Sequence, residues 1–140
     1  MTAAMRVGVL LVLVLIAAGC QKPVATSPEA TYRAFVTALQ RSDARRAFDM
    51  LTPATREKVQ QRSKAISEAS QGLVRDEPQL LLFQSSRPGE LGEISQVRAD
   101  EATAVLKVAT ADGAREVKLV KDSGRWLIDL SEQLEASGTP

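Results

Sequence analysis

Three rhythms of apolar and polar residues succeed one another along the chain. Residues 7–18 form one apolar run, residues 27–83 repeat apolar positions at helical spacing, and beyond residue 92 apolar and polar positions alternate. Ser27 precedes Pro28 and Glu29, which is a hydroxyl cap, a proline at the first helical position and an acid in the first turn. Tyr32, Phe35, Val36 and Leu39 follow at i, i+3, i+4, i+7, so the spacing predicts a helix to about residue 40 with one buried face. Ser42 or Asp43 caps a second, short helix that turns Ala47, Phe48 and Leu51 inward. Thr52-Pro53 repeats the start signal for a third, mostly solvated helix ending near 70 or 72. Its apolar stripe is Val59, Ile66 and Leu73, flanked by Ala65 and Ala69. After Asp76-Glu77-Pro78, residues 80–83 read as a short helical plug of the core.

Residues 85–92, with Pro88 and Gly89, are a loop, and the period then drops to two. Strands are predicted at 94–97, 103–110, 115–121 and 125–130, with hairpin turns at Asp112-Gly113 and Asp122-Ser123-Gly124. In the last strand Trp126, Ile128 and Leu130 share one face, while Leu127 and Asp129 share the other, facing solvent. Helices followed by a meander make an α+β domain: about three helices and a short fourth packed on a curved antiparallel sheet of about four strands. The domain spans residues 27–131, and 132–140 read as a polar, frayed tail.

Composition changes the picture mainly by what it removes. The sequence contains no histidine, which eliminates histidine general bases, Ser-His and Cys-His pairs and His-containing zinc sites. Lys and Arg number 18 against 17 acids, and Arg6 is the one charge before residue 20, so the rest of the chain is formally neutral. No global field favours nucleic acid, and no metal or cofactor is expected.

The apolar run is too short to span a bilayer, which takes about 20 residues. It sits between Arg6 and the small residues Ala17-Ala18-Gly19, directly before Cys20, the sole cysteine. That is a secretion signal ending at a cleavage site. Ile16-Ala17-Ala18-Gly19-Cys20 resembles the lipobox of bacterial lipoproteins, with Ala17 where that family prefers Leu. The resemblance implies a cleaved signal over 1–19 and an acylated Cys20, with residues 20–26 a short tether. It also implies a cell-envelope location, and Gln21 in place of Asp favours the periplasmic side of the outer membrane in a diderm source.

A second resemblance rests on three helical segments, 28–35, 43–48 and 51–56, and on the closing run 120–129, VKDSGRWLID. Together they look like small exported domains of the nuclear-transport-factor-2-like superfamily. That likeness implies a cone-shaped domain whose helices cover a bent sheet. Some members are isomerases, dehydratases or cyclases and many are noncatalytic; the enzymes commonly place Asp and His in the cone, and this chain has no His.

The candidate pocket residues are Tyr32, Phe35, Phe48 and Trp126, for which core packing is the competing reading. Between residues 41 and 64 seven basic residues stand against three acids, and Arg45, Arg46, Arg56 and Arg62 are the candidates to face anionic headgroups. The expected function is a noncatalytic, membrane-anchored module that binds a protein partner or its own copies, with an apolar patch on the outer sheet face around Val105 and Leu127. A small-molecule carrier or sensor using the cone is the alternative, and an enzyme comes third. Mass spectrometry of the native protein is expected to show lipid on Cys20 and none in Cys20→Ala; an unmodified wild-type mass would remove the anchor.

Overall fold

The computed structural model describes residues 27–85 and 92–136, so the expected signal over 1–19, Cys20 and the expected tether lie outside the described residues. Four helices precede a four-stranded antiparallel sheet, and a fifth helix follows it. The α+β reading therefore holds. The elements are α1 (Pro28–Gln40), α2 (Ala44–Asp49), α3 (Pro53–Ala69), α4 (Pro78–Ser85), β1 (Ile94–Ala99), β2 (Thr103–Thr110), β3 (Gly113–Asp122), β4 (Arg125–Asp129) and α5 (Ser131–Ala136).

Each of the first three helices starts where a side-chain oxygen satisfies a free backbone donor. Ser27 Oγ accepts from the Ala30 N–H at 3.1 Å, Asp43 Oδ1 from Arg46 at 3.1 Å, and Thr52 Oγ1 from Thr55 at 3.2 Å. Ser42 takes the left-handed conformation at φ 57°, which ends α1 and lets Asp43 N–H reach back to the Ala38 carbonyl at 2.8 Å. Tyr32, Phe35, Val36 and Leu39 are all buried, as their spacing requires.

The face of α3 matches the predicted one only in part. Its inward residues are Thr55, Val59 and Ser63, four apart, and Ile66 is half-buried, whereas Ala65 and Ala69 are exposed and Leu73 lies beyond the helix. Val59 and Ile66 thus lie on the expected stripe, but two of the three inward side chains are small and polar, which an apolar spacing does not reveal.

The sheet is a simple meander in the order β1-β2-β3-β4. Leu106 pairs with Val117, and Leu119 with Ile128, and these four belong to the buried core together with Ala104 and Val108. Thr110 pairs with Gly113, so the first hairpin turn is Ala111-Asp112, one residue earlier than predicted, and Gly113 opens β3 at φ 131°. The second turn is Ser123-Gly124, both at positive φ, which suits the right-handed twist of the flanking strands. A bulge at Val97 shifts the register between Gln96 and Arg98.

The two edges of the sheet are treated differently. Along β4, the Ile128 N–H donates to the Met50 carbonyl at 2.9 Å and the Thr52 N–H donates to the Ile128 carbonyl at 2.9 Å. Leu51 thus sits beside Ile128 in a parallel bridge, and both side chains are fully buried. Along β1 nothing among the described residues pairs on the outer side, and five of its six residues are exposed.

Residues 131–136 are helical rather than a frayed tail. Leu134, the one large apolar residue after Leu130, packs against the core, and Glu135 forms an ion pair with Lys58 of α3. Thr31, by contrast, is buried with its Oγ1 unpartnered among the described residues. Leu51→Ala is expected to cost about 2–5 kcal/mol, the range for truncating a packed leucine. Thr31→Val should be neutral or stabilising, because it removes an unmet polar group. Urea unfolding of the two variants beside wild type checks both, and a large loss for Thr31→Val would mean that the hydroxyl has a partner.

Candidate functional site

The densest polar cluster forms where the end of β4 meets the first turn of α3. Asp129 Oδ1 accepts from Thr55 Oγ1 at 3.2 Å, from the Ser131 N–H at 3.0 Å and from Ser131 Oγ at 2.6 Å. Thr55 Oγ1 in turn accepts from the Leu130 N–H at 3.0 Å and lies 2.8 Å from Thr52 Oγ1. A threonine hydroxyl has one proton, and that of Thr55 goes to Asp129, so Thr52 is the donor between the two threonines. Lys118 Nζ stands 3.6 Å from Asp129 Oδ2 and 3.6 Å from Glu132 Oε1.

Asp129 was expected to face solvent, yet its side chain is only 13% exposed. Alternation along β4 does turn it away from Ile128, but α3 and α5 close over that position. Burial pushes its carboxyl up, while the Ser131 and Thr55 hydrogen bonds and the Lys118 charge outweigh burial and hold it below the usual carboxylate range. A carboxylate so supplied with donors is a poor proton acceptor at neutral pH. Its chemistry is that of a clamp joining α3, β4 and α5.

Asp100 and Asp76 are also committed locally. Asp100 accepts from the Ala102 and Thr103 N–H groups at 2.8 and 2.7 Å and from Thr103 Oγ1 at 2.7 Å, which lowers its pKa and fixes the β1–β2 turn. Asp76 takes the Ser63 hydroxyl at 2.6 Å, whereas Glu77 lies 3.9 Å from Arg75, so the two neighbouring acids do not act together. Among the described residues no group of three or more His, Cys, Asp or Glu is placed to hold a metal ion. None of their helices is long and apolar enough to cross a membrane.

The candidate pocket residues lie in the packed interior. Tyr32, Phe35 and Phe48 are buried in one core cluster, Trp126 is half-buried against it, and Phe83 joins them. The Tyr32 hydroxyl reaches the edge of this cluster, where Arg115 Nη2 donates to it at 3.1 Å. Lys121 Nζ stands over the Trp126 ring at 5.6 Å.

The candidate basic residues do not form one surface. Arg45 and Arg46 are exposed on α2, whereas Arg56 and Arg62 are half-buried on α3. Six residues of helix separate the latter two, about 120° of rotation, so they leave α3 on different sides. The patch expected around Val105 and Leu127 is not exposed either: Leu127 is buried and Val105 half-buried.

Exposed apolar surface lies elsewhere, at Leu73, Val74, Leu80 and Val97. Val74 and Leu80 border a groove of about 160 Å³ between α3 and α4, floored by Ser63 and Ile66. The signal that finds Leu73 is Gln71-Gly72, a helix stop that the heptad spacing overrode.

Compared with known proteins, the chain matches no family model, no curated protein and no solved structure.

Because the Asp129 carboxyl is held low in the folded state, its stabilisation is complete above the usual carboxylate range, about pH 4, and is lost as pH falls below that. Asp129→Asn is expected to lose about 1–3 kcal/mol at neutral pH, and the gap from wild type should narrow as the solution is acidified. Denaturant titrations at several pH values check this; a gap constant with pH would show that the charge contributes nothing.

Proposed function

We propose that this chain is a bacterial envelope lipoprotein, held through acylated Cys20, whose domain is a noncatalytic protein-binding module of the nuclear-transport-factor-2-like type. The signal and lipobox residues support the anchor, and the order of helices, meander and hairpin turns supports the likeness. A tether of residues 20–26 reaches at most about 25 Å, so the domain stays against the membrane that holds it. In a diderm source, Gln21 directs it to the periplasmic side of the outer membrane.

The observation that carries the binding role is the asymmetry of the sheet edges. The chain covers β4 at Ile128 with its own residues 50–52, while among the described residues nothing pairs with the outer side of β1, five of whose six residues are exposed. An unpaired edge recruits an added strand, whose backbone hydrogen bonds give affinity whatever its side chains. The interior supports the same role from the other side. Tyr32, Phe35 and Phe48, which a carrier would turn toward its ligand, belong to one buried core cluster.

Crosslinking in intact envelopes followed by capture of the native protein is expected to recover a discrete protein adduct. Val97→Lys places a charge at the β1 bulge and should reduce that adduct about tenfold without altering the thermal midpoint. An adduct unchanged by Val97→Lys would move the interface away from this edge.

A further inference from the structure

The outer edge of β1 is regular over only a short run, and the backbone sets both ends of it. At one end a Cβ on Gly92 would collide with the carbonyl of Ala109, a group lying in the plane of the sheet, whereas strand side chains stand off that plane. Gly92 therefore departs from strand geometry. At the other end the bulge at Val97 shifts the register with β2. Between these points the Ala109 N–H donates to the Glu93 carbonyl at 2.9 Å, in the same register that sets Ile94 opposite Val108. Glu93 and Ser95 thus turn their backbone groups toward β2, and Ile94 and Gln96 turn theirs away from it. Beyond the bulge, where the Asp100 N–H donates to the Thr103 carbonyl at 2.9 Å, it is Arg98 that faces β2.

We propose that this edge pairs with the β1 edge of a second copy of the chain, antiparallel and about a two-fold axis at Ser95. The inference rests on the protein-binding reading above and names the partner. Alternation of the backbone groups selects the axis. With Ser95 facing Ser95, Ile94 of each copy faces Gln96 of the other, and each such pair exchanges both of its N–H···O bonds. An axis at Gln96 would set Ile94 against Arg98, which is turned toward β2, and an axis at Ile94 would require Gly92 to lie in the strand.

The side chains fit a copy running in this direction. Glu93 and Arg98 are exposed near opposite ends of the run. Ser95 and Arg98 pair with Lys107 and Val105, which alternate with the buried Ala104, Leu106 and Val108, so they stand on the sheet face away from the core, and Glu93 stands there with them. Antiparallel pairing brings each Glu93 beside the Arg98 of the other copy, whereas parallel pairing would set like charges together. The association also closes. It occupies both β1 edges, and residues 50–52 already cover β4 at Ile128, so two copies complete it. So short a ladder is a weak contact, and confinement of identical chains to one membrane supplies the concentration it needs.

The test uses the full lipidated protein in vesicles. Acylation occupies the Cys20 sulfur, so a cysteine placed elsewhere is the one free thiol. Facing residues of this type lie about 4.5 Å apart between Cα atoms, within disulfide reach. Under mild oxidation Ser95→Cys is expected to give a disulfide dimer about tenfold more abundant than Glu116→Cys, an exposed position on β3 that reports random collision. Equal yields would overturn the proposal. In the Ser95→Cys background Arg98→Glu should lower the yield about tenfold, and adding Glu93→Arg should restore it, because the exchanged charges pair again across the axis. Failure of either step would overturn the antiparallel arrangement. If Arg98→Glu is misfolded by circular dichroism, Glu93→Arg alone takes its place and the double exchange remains the rescue.

The readings beneath the proposal fail separately. A Ser95→Cys adduct with a different protein in intact envelopes, and none with itself, would overturn the second copy while leaving β1 a protein-binding edge. Where native Cys20 bears no lipid, Ser95→Cys with Cys20→Ala is oxidised in solution at millimolar concentration: a dimer above the Glu116→Cys level upholds the pairing, and its absence overturns it.

Discussion

The two hydrogen bonds between Ile128 and residues 50–52 are the constraint on which the rest of the domain depends. They set the segment between α2 and α3 against β4 and bury Leu51 beside Ile128. Thr52 then has two duties: its N–H belongs to the sheet and its hydroxyl caps α3. The direction of α3 is thereby fixed relative to β4, and Thr55, one turn along, comes within reach of Asp129. Asp129 in turn holds Ser131 and starts α5, whose Glu135 returns to Lys58. One edge contact thus propagates through a chain of short-range bonds into the placement of two helices.

Where structure follows from neighbours in the chain, the sequence was a sufficient guide. The caps at Ser27, Asp43 and Thr52, the buried stripe of α1 and the positive-φ turn at Ser123-Gly124 are all decided within a few residues. What stayed hidden depends on distant partners. Thr55 and Ser63 look like solvated residues of a polar helix until Asp129 and Asp76, 74 and 13 residues away, are seen to receive their hydroxyls. Residues 131–136 look like a tail because a single leucine carries their packing. Leu73 was misplaced for a different reason, since its spacing from Val59 and Ile66 fits a helix that Gln71 and Gly72 have already ended.

The candidate site was legible only in part. Aromatic residues at helical spacing are consistent with either a pocket or a core, and the difference lies in whether other side chains fill the space between them. Here Leu82, Leu106, Leu119 and Ile128 belong to the same buried cluster as Tyr32, Phe35 and Phe48. Likewise, a carboxylate on a strand is a base or a clamp according to how many donors reach it, and that number follows from the approach of α3 and α5.

On the proposed reading the domain acts through its surface, since Tyr32, Phe35 and Phe48 belong to the buried core and the Asp129 carboxylate is held by the Thr55 and Ser131 donors. On the same reading, acylated Cys20 and residues 21–26 hold the domain close to the membrane that anchors it. The β1 edge belongs to the same sheet that residues 50–52 join to the start of α3, so it is confined with the whole domain. Such confinement raises the effective concentration of the edge toward a partner held in the same envelope, without any new contact between the two proteins.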